Sequence, residues 1–361
     1  MPVAASSISR FADGEVSIQV NTNMRGNDVF IVQSCAAPVN DSIMELLLTV
    51  SCARRSGAKR VIAVIPYFGY KHHRRGSALS TKYQSRFLSS GAMDFAKMLQ
   101  EMGVDRVISV DLQRPGQGQE ACFFDTAVPL EVVLSNELMV KHLLSHVDLA
   151  KRVVIVAPNA EGFKKARKFQ VGLQKAHTLP AAPRTVAAAP TTAASTALAA
   201  AEAAKPTRNF QLATFVSSES SGSGPVDTTK LELLGDNVQI AGADVLIVDD
   251  MVDTAGTLSD LSRLLKAAGA LNIYVVASHG LFTDNSMELI ENSAVSKVFV
   301  TNSLPLPRPD RAVVSSKVEQ VSLAPHLGHI ILAEYFRTLN TAKEEEFREE
   351  WEGMGAEDEI E

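Results

Sequence analysis

One stretch decides the fold of this chain: Asp244-Val-Leu-Ile-Val-Asp-Asp-Met-Val-Asp-Thr-Ala-Gly-Thr257. It opens with a continuous apolar run, Val245 to Val248, which predicts a strand buried on both faces of a parallel sheet. Two carboxylates follow where that strand should end, and small and hydroxyl residues then form a turn. A helix is predicted directly behind the turn from the spacing of its leucines, Leu258, Leu261, Leu264 and Leu265.

The turn of this stretch is suited to hold a phosphate. Its backbone N–H groups lie at the positive end of a helix dipole, and Thr254 and Thr257 add hydroxyl donors. The acidic pair, Asp249 and Asp250, suits the hydroxyls of a sugar or a bound cation. For a lone Asp-Thr-x-Gly, an ordinary strand-to-helix turn capped by Asp and Thr is the simpler interpretation. The complete arrangement favours a site for a sugar phosphate.

Length and composition indicate a large α/β protein. The chain has 361 residues, enough for two domains, and 46% of them are hydrophobic with few aromatics. The net charge of -6 comes from 35 basic and 41 acidic side chains, and most of the excess lies in the last twenty residues. The charge balance therefore gives no argument for nucleic acid as a partner.

The cysteines and the apolar runs indicate an intracellular protein. Cys35, Cys52 and Cys122 have no metal-like spacing and are expected to be reduced and mostly buried. We find no apolar run of membrane-spanning length, and Met1 to Arg10 lacks the blocks of a secretory signal. We therefore expect a cytoplasmic location and no membrane partner.

A recurring phrase predicts parallel sheets in both halves of the chain. A helix closed by glycine and followed by a Val/Ile strand occurs at Gly57, Gly103 and Gly269, where the glycine can take a left-handed cap. Further apolar strands are expected at Asp28 to Gln33 and at Lys151 to Ala157. Strands separated by helix-length segments imply right-handed crossovers, and the recurrence suggests two similar α/β domains.

Two segments are predicted to lie outside the packed domains. Residues 177–227 are dominated by Ala, Pro, Thr and Ser, a composition that cannot bury enough apolar area to offset the ordering entropy. We expect a disordered insertion there. The charged end, from Lys343 to Glu361, reads as a solvated acidic tail.

Several phrases beside the opening stretch resemble the ribose-phosphate pyrophosphokinase family, also called phosphoribosyl pyrophosphate synthetases. They follow the family order and are Phe11-Ala-Asp-Gly-Glu15, Arg25-Gly-Asn-Asp-Val-Phe-Ile-Val-Gln-Ser34, Pro38-Val-Asn-Asp41, Met44-Glu-Leu-Leu47, Ala63-Val-Ile-Pro-Tyr-Phe-Gly-Tyr70, Phe123-Phe-Asp125, Ser278-His-Gly280 and Thr301-Asn-Ser-Leu-Pro305. The resemblance covers about residues 11 to 337 without the insertion.

The resemblance implies two tandem phosphoribosyltransferase-type domains, each a mainly parallel sheet flanked by helices. We expect them at residues 1–130 and 131–337, followed by a tail at 338–361. It implies transfer of the diphosphoryl group of ATP, with Mg²⁺, onto ribose 5-phosphate. Homo-oligomers, or hetero-oligomers with paralogous subunits, are the implied assembly. The family's first strand and helix precede the Phe11 loop, so the first domain is expected to be short at its start.

Site residues follow from the resemblance position by position. Ribose 5-phosphate is expected at the residues of the opening stretch, namely Asp249, Asp250, Asp253, Thr254, Ala255, Gly256 and Thr257. Residues Phe11, Asp13 and Glu15 correspond to the loop that receives the adenine of ATP. His72 and His73 occupy the places of a family Arg-Gln pair for ATP, and an imidazole lacks the fixed fork of an Arg.

The metal and catalytic positions depart from the family pattern. The family Asp-Leu-His site reads Asp111-Leu-Gln113, with Asp125 downstream, and Asn159 replaces a family Asp. These four are the candidate Mg²⁺ ligands. The family's catalytic Lys-Arg pair is not found, because its region is occupied by the low-complexity insertion.

Three functions remain open from the sequence. The first is an active, divergent pyrophosphokinase, supported by the intact ribose-phosphate loop. The second is a catalytically weak or inactive synthetase-associated subunit that binds ribose 5-phosphate and regulates active paralogues. The third is a salvage phosphoribosyltransferase, against which the family-specific first domain speaks.

Overall fold

The computed structural model describes residues 2–70, 91–112, 124, 128–150, 152–178, 209–217, 231–307 and 314–337. The chain divides into two units, the first made of Met1–Ser109, Glu120–Glu131 and Ser322–Glu361, the second of Val110–Gln119 and Val132–Val321. The predicted domain boundaries stay predictions. The grouping of the described residues differs from the prediction mainly in two places. Ser322 to Arg337 group with the first unit, although they were assigned to the second domain, and Val110 to Leu112 group with the second unit, although they were assigned to the first domain.

A hairpin and a four-stranded sheet carry the N-terminal part of the chain. The elements in order are β1 (Ser6–Arg10), β2 (Val16–Val20), β3 (Asp28–Val32), α1 (Val39–Arg55), β4 (Arg60–Ile65), α2 (Gly91–Glu101), β5 (Arg106–Val110) and β6 (Leu130–Val133). Strands β1 and β2 pair antiparallel, and the larger sheet has the order β3-β4-β5-β6 with β3, β4 and β5 parallel. Val and Ile fill β4, which is buried along nearly its whole length.

A seven-stranded sheet forms the second unit. Its elements are α3 (Asn136–His146), β7 (Arg152–Ala157), α4 (Phe163–Thr178), β8 (Asn209–Ser217), β9 (Leu231–Leu234), β10 (Asp244–Val252), α5 (Gly256–Ala267), β11 (Ile273–Gly280), α6 (Ser286–Asn292), β12 (Lys297–Thr301) and β13 (Val318–Val321). The strand order is β13-β12-β11-β10-β7-β8-β9, and only β9 is antiparallel to its neighbour. The final helix, α7 (Ala324–Phe336), belongs to the first unit.

Strand β10 is the central strand of this sheet. Val245 and Ile247 pack in the hydrophobic core on one face, and Leu246 and Val248 pack in the core on the other. The predicted strand buried on both faces is therefore confirmed. The strand also runs to Val252, so the acidic pair lies within it. The sequence had suggested instead that the strand ends at the acidic pair.

The predicted glycine caps are confirmed. Gly57, Gly103 and Gly269 have φ angles of 79°, 92° and 90°. At Gly269 the N–H donates to the carbonyl of Lys266, and the next N–H donates to the carbonyl of Leu265. The other two glycines make the same pair of bonds, which closes each helix and turns the chain into the following strand.

Part of the predicted insertion is folded. Strand β8 lies within residues 177–227, pairs parallel with β7, and buries Phe210, Ala213 and Phe215. The prediction of disorder was wrong for this strand because the average composition of the whole segment concealed a short alternating Phe/Leu/Val run. Residues 179–208 and 218–230 lie outside the described part of the chain, as does the predicted acidic tail from residue 338.

A partly buried ion-pair network fixes α7 within the first unit. Glu334 is 5% exposed, and its carboxylate accepts from Arg60 at 3.0 Å and lies 3.6 Å from Arg106. Arg60 also donates to Asp28 at 2.7 Å. Because these groups lie on strands β3, β4 and β5, the network ties the C-terminal helix to the N-terminal sheet.

Two expectations from composition can be compared with the structure. Cys35 is buried and Cys52 is half-buried, and both are free thiols, while Cys122 lies outside the described residues. In the described ranges, no helix combines the length and the apolar character needed to cross a bilayer.

Candidate functional site

The loop between β10 and α5 has the backbone shape of an anion-binding turn. Ala255, which precedes the helix, has φ 59° and ψ 4°, a left-handed conformation that is costly for a residue with a Cβ atom. Such outliers concentrate at functional sites. A Cβ atom built on Gly256 would meet nothing within 4 Å, so the first helical residue faces open space. The geometry leaves N–H groups of the helix terminus open to an anion.

The side chains of the loop are held ready for a polar ligand. Thr283, from the loop after β11, donates a hydrogen bond of 2.5 Å to Asp253 Oδ1. Thr254 and Thr257 are both exposed, so their hydroxyls face solvent. The structure thus brings the predicted phosphate residues together on one turn, and adds Thr283 as a support that sequence reasoning had not identified.

The acidic pair lies directly before this loop on β10. The N–H of Asp250 donates to Asp249 Oδ1 at 2.8 Å. Burial, and after it the negative charge of Asp250, raise the pKa of Asp249 to about 8. The raised pKa favours one proton held between the two carboxyl groups, and the remaining carboxylate oxygens can accept hydrogen bonds from vicinal hydroxyls.

Asp111 lies in a buried polar cluster within the second unit. Its Oδ2 accepts hydrogen bonds from the hydroxyl of Ser278 at 2.5 Å and from the hydroxyl of Ser135. Lys165 donates to Ser278 at 2.5 Å and places its Nζ 3.8 Å from Asp111 Oδ2. Although burial opposes ionisation, Lys165 and the two serine donors lower the pKa of Asp111 to about 2.

The surroundings of Asp111 do not fit a Mg²⁺ ligand. Magnesium keeps several waters and needs carboxylate oxygens that are open to it. Asp111 is 7% exposed, and its Oδ2 is already surrounded by two hydroxyl donors and an ammonium group. We interpret the side chain as a structural anion. Its predicted role as a metal ligand remains without support here.

Asn159 is also committed to the protein. Its Oδ1 accepts a hydrogen bond of 2.9 Å from the N–H of Gly162 and so caps the short 3-10 helix at Ala160–Gly162. This capping occupies one lone pair of the oxygen that would have to bind a cation, and a neutral amide is a weaker Mg²⁺ ligand than the family carboxylate. The other two predicted ligands, Gln113 and Asp125, lie outside the described residues.

The predicted ATP loop is the tip of the β1–β2 hairpin in the first unit. The N–H of Phe11 donates to the carbonyl of Glu15 at 2.9 Å, and the N–H of Glu15 donates to Asp13 Oδ1 at 3.1 Å. Gly14 has φ 94°, which permits the tight turn. Phe11 is 60% exposed, so its ring is free of the core and open to a planar ligand.

The remaining ATP and catalytic candidates cannot be placed on this framework. His72 and His73 lie outside the described residues. So do three cations of the region that replaces the family's catalytic pair, namely Arg184, Lys205 and Arg208. No catalytic residue is therefore assigned.

The structure gives a role to residues for which the sequence suggested none. The charge of Lys165 acts on two carboxylates, since it lowers the pKa of Asp111 and partly opposes the rise in the pKa of Asp249. Ser135 precedes α3, and Ser278 lies within the buried run of β11. Little in the sequence indicated the two serines, because serine is common beside a helix start and within a strand. Their role is seen only in the structure, where both hydroxyls donate to the buried Asp111.

This combination defines an α/β protein of the phosphoribosyltransferase type, with a mainly parallel sheet and an acidic pair followed by a small-residue loop on its central strand. The chain matches the N-terminal domain of ribose phosphate pyrophosphokinase over residues 1–103 and the phosphoribosyl synthetase-associated domain over residues 150–344. The fold resembles the crystal structure of phosphoribosylpyrophosphate synthetase from Mycobacterium smegmatis with a TM-score of 0.69 at 24% identity, covering 93% of this chain and 92% of that one.

Curated relatives share sequence over most of the chain. A ribose-phosphate pyrophosphokinase of Vibrio vulnificus is 32% identical over 326 residues, covering 90% of this chain and 86% of the relative. The enzyme of the same name from Shewanella oneidensis is 33% identical over 327 residues, covering 90% and 85%. The chain belongs to the ribose-phosphate pyrophosphokinase family.

Proposed function

We propose that this protein binds ribose 5-phosphate at the loop between β10 and α5. The observation that carries the proposal is the left-handed Ala255 before the open helix terminus at Gly256. The 5-phosphate would accept hydrogen bonds from the loop N–H groups and from the hydroxyls of Thr254 and Thr257. Asp249 and Asp250, which lie on β10 shortly before the loop, would face the ribose hydroxyls.

We further propose that the protein transfers a diphosphoryl group from ATP to this sugar. The oxygen of the 1-hydroxyl would form a bond to the β-phosphorus, the bond between the α- and β-phosphates would break, and AMP would leave. The hydroxyl proton is released to solvent. Relatives that match about nine tenths of the chain carry the name of this enzyme, which supports activity in preference to a purely regulatory subunit.

Adenine recognition is assigned to the exposed hairpin tip. The ring of Phe11 offers a stacking face, and the side chains of Asp13 and Glu15 can accept hydrogen bonds from the base. Phe11→Ala should weaken ATP binding roughly tenfold, because one stacked base is worth about 1–3 kcal/mol. Ile8→Ala is the matched control, since Ile8 is likewise exposed and apolar but lies on β1, before the hairpin tip. It should leave the affinity for ATP unchanged.

Magnesium is assigned to the substrate side of the site. Because Asp111 and Asn159 do not fit as ligands, we propose that Mg²⁺ is held chiefly by the phosphates of ATP. The ion would neutralise phosphate charge there. Replacing Asn159 with Ala should then loosen the turn after β7 without changing the dependence of the reaction on Mg²⁺.

The activity has a direct test. Purified protein supplied with ATP, Mg²⁺ and ribose 5-phosphate should release AMP and form phosphoribosyl pyrophosphate, detected by phosphorus NMR. If AMP appears only after a second family subunit is added, the proposal of an active enzyme is wrong and a regulatory role replaces it. The mass of the protein in solution, measured in the same buffer, tests the expected oligomer.

The binding site has a separate test that does not depend on turnover. Ribose 5-phosphate should raise the melting temperature of the wild type, and Asp253→Asn should remove most of that shift. The Asn keeps an oxygen for Thr283, so the loop should remain folded. Asp260→Asn, on α5 and paired only loosely with Arg263 at 3.4 Å, is the control and should retain the full shift. Full protection in Asp253→Asn would refute the assignment.

A further inference from the structure

A second group of ligating side chains lies away from the loop after β10. His142 and His146 are one turn apart at the end of α3, and Glu319 lies on the edge strand β13. Each residue offers one ligating atom, and these atoms all lie within 4.8 Å of one another. His142 is already close to the carboxylate, with its Nε2 2.6 Å from Glu319 Oε1.

The hydrogen bonds of His146 determine which of its nitrogens can bind a metal. Its Nδ1 lies 2.9 Å from the carbonyl oxygen of His142, and a carbonyl can only accept a hydrogen bond. The hydroxyl of Ser145 also lies 2.9 Å from this nitrogen. Both local contacts engage Nδ1, so Nε2 is the nitrogen that we assign to a metal.

Glu319 is held in a similar way. Lys297, from the neighbouring strand β12, donates to Glu319 Oε2 at 2.8 Å, which leaves Oε1 directed at His142. His142 itself is oriented by the ring of Phe299, whose centroid is 5.7 Å away in an edge-on arrangement. Two of the three side chains are thus only partly exposed, at 19% for His142 and 27% for Glu319. The exposed His146 can complete the set by rotating.

We propose that His142, His146 and Glu319 form a binding site for a divalent transition-metal ion such as Zn²⁺. Two imidazoles and one carboxylate are borderline ligands that favour Zn²⁺, Co²⁺ or Ni²⁺ over Mg²⁺. A tetrahedral Zn²⁺ with bonds of about 2.0–2.1 Å needs ligand atoms about 3.3 Å apart. Binding therefore requires the His142 and Glu319 atoms, now 2.6 Å apart, to separate, and the His146 ring to turn away from the His142 carbonyl. Water would take the fourth position. The ion would link α3 to the edge of the sheet.

The site is tested with metal alone on untagged full-length protein. Co²⁺ should produce a visible absorption band of tetrahedral intensity at one equivalent, and Zn²⁺ should displace it. His146→Ala, which removes an exposed ring, should weaken Zn²⁺ binding by at least roughly 100-fold, because even the loss of an outer hydrogen-bond partner costs about 10–100-fold. The matched control is His329→Ala, an exposed histidine on α7, which should keep the wild-type band.

A second variant and a second readout guard against effects on folding. Glu319→Gln keeps the shape of the side chain but supplies a far poorer ligand, and it should also abolish the cobalt band. Zn²⁺ should raise the melting temperature of the wild type and of His329→Ala. It should leave the melting temperature of His146→Ala unchanged. An unaltered Co²⁺ spectrum in both His146→Ala and Glu319→Gln would place any bound metal elsewhere and overturn the proposal. Neither measurement depends on the proposed enzymatic activity.

Discussion

Lys165 and Asp111 form a buried ion pair in which the lysine Nζ lies 3.8 Å from the carboxylate Oδ2. The side chains of Lys165 and Asp111 are 13% and 9% exposed, and two serine hydroxyls complete the cluster. The Oδ2 atom of a carboxylate expected to bind metal is thus engaged by protein groups. This relationship makes Asp111 a stabilising residue and leads to the first prediction.

Asp111→Asn should destabilise the protein by about 3–5 kcal/mol, because it leaves the Lys165 ammonium buried without its partner. Urea unfolding at pH 7 measures the change. The low pKa of Asp111 also sets the direction of the pH dependence. Its contribution to the free energy of unfolding is fully present above about pH 4 and is lost as the pH falls toward 2. The difference between wild type and variant should therefore shrink over that range. An unchanged stability at pH 7 would mean that Asp111 is free for another role.

Asp249 should give the opposite pH dependence. Its pKa is raised to about 8, so the folded state binds more protons than the unfolded state between about pH 4 and pH 8. The contribution of Asp249 to the free energy of unfolding therefore falls as the pH rises through that window, by at most about 1.4 kcal/mol per pH unit. Asp249→Asn should flatten the curve of unfolding free energy from pH 5 to pH 9, while Asp260→Asn should leave it as in the wild type.

Ala255 offers a test of backbone strain at the phosphate loop. In Ala255→Gly, relief of about 1–2 kcal/mol of left-handed strain is offset by the loss of a buried methyl group and by the greater freedom of the unfolded chain. The net change in unfolding free energy should be under about 1 kcal/mol. Ala166→Gly, at a buried helical position of α4, should cost about 1 kcal/mol or more. Equal losses at the two sites would show that Ala255 is not strained.

Ala255→Val extends the same comparison. A β-branched side chain in the left-handed region, at a position only 6% exposed, combines backbone strain with overpacking. We expect a loss of more than about 2 kcal/mol and a weaker response of the melting temperature to ribose 5-phosphate. Thermal unfolding with and without the sugar phosphate reports both effects.

Glu334 should be the residue that holds α7 in the first unit. Glu334→Ala removes the carboxylate shared by Arg60 and Arg106, which keep Asp28 and Glu131 as partners, and we expect a loss of about 1.5–3 kcal/mol. Arg337→Ala is the control on the same carboxylate, since Arg337 is 62% exposed and 3.6 Å away, and it should cost under about 1 kcal/mol. Similar losses in both variants would place the stabilisation outside the buried network.

Local patterns predicted the central features of the second unit. The apolar run before Asp249 became a strand buried on both faces, and the glycines after the helices took the left-handed caps expected of them. Strand β8 was not recognised, because the composition of the surrounding Ala-, Pro- and Ser-rich segment concealed it. The strands β1, β2, β6, β9, β12 and β13 were not predicted either, since four or five residues are too few for a clear period. The extension of β10 beyond Val248 was also missed, since paired carboxylates rarely continue a buried strand.

By itself, the sequence determined the family and the order of strand, acidic pair, turn and helix, because all of these depend on near neighbours in the chain. Only the tertiary structure decided the role of Asp111, whose partners Ser135, Lys165 and Ser278 come from three different elements. The same holds for His142, His146 and Glu319, since a helix end and an edge strand meet only when the sheet is packed. Burial and distance, which no sequence pattern records, decide whether a carboxylate binds a metal or balances a lysine.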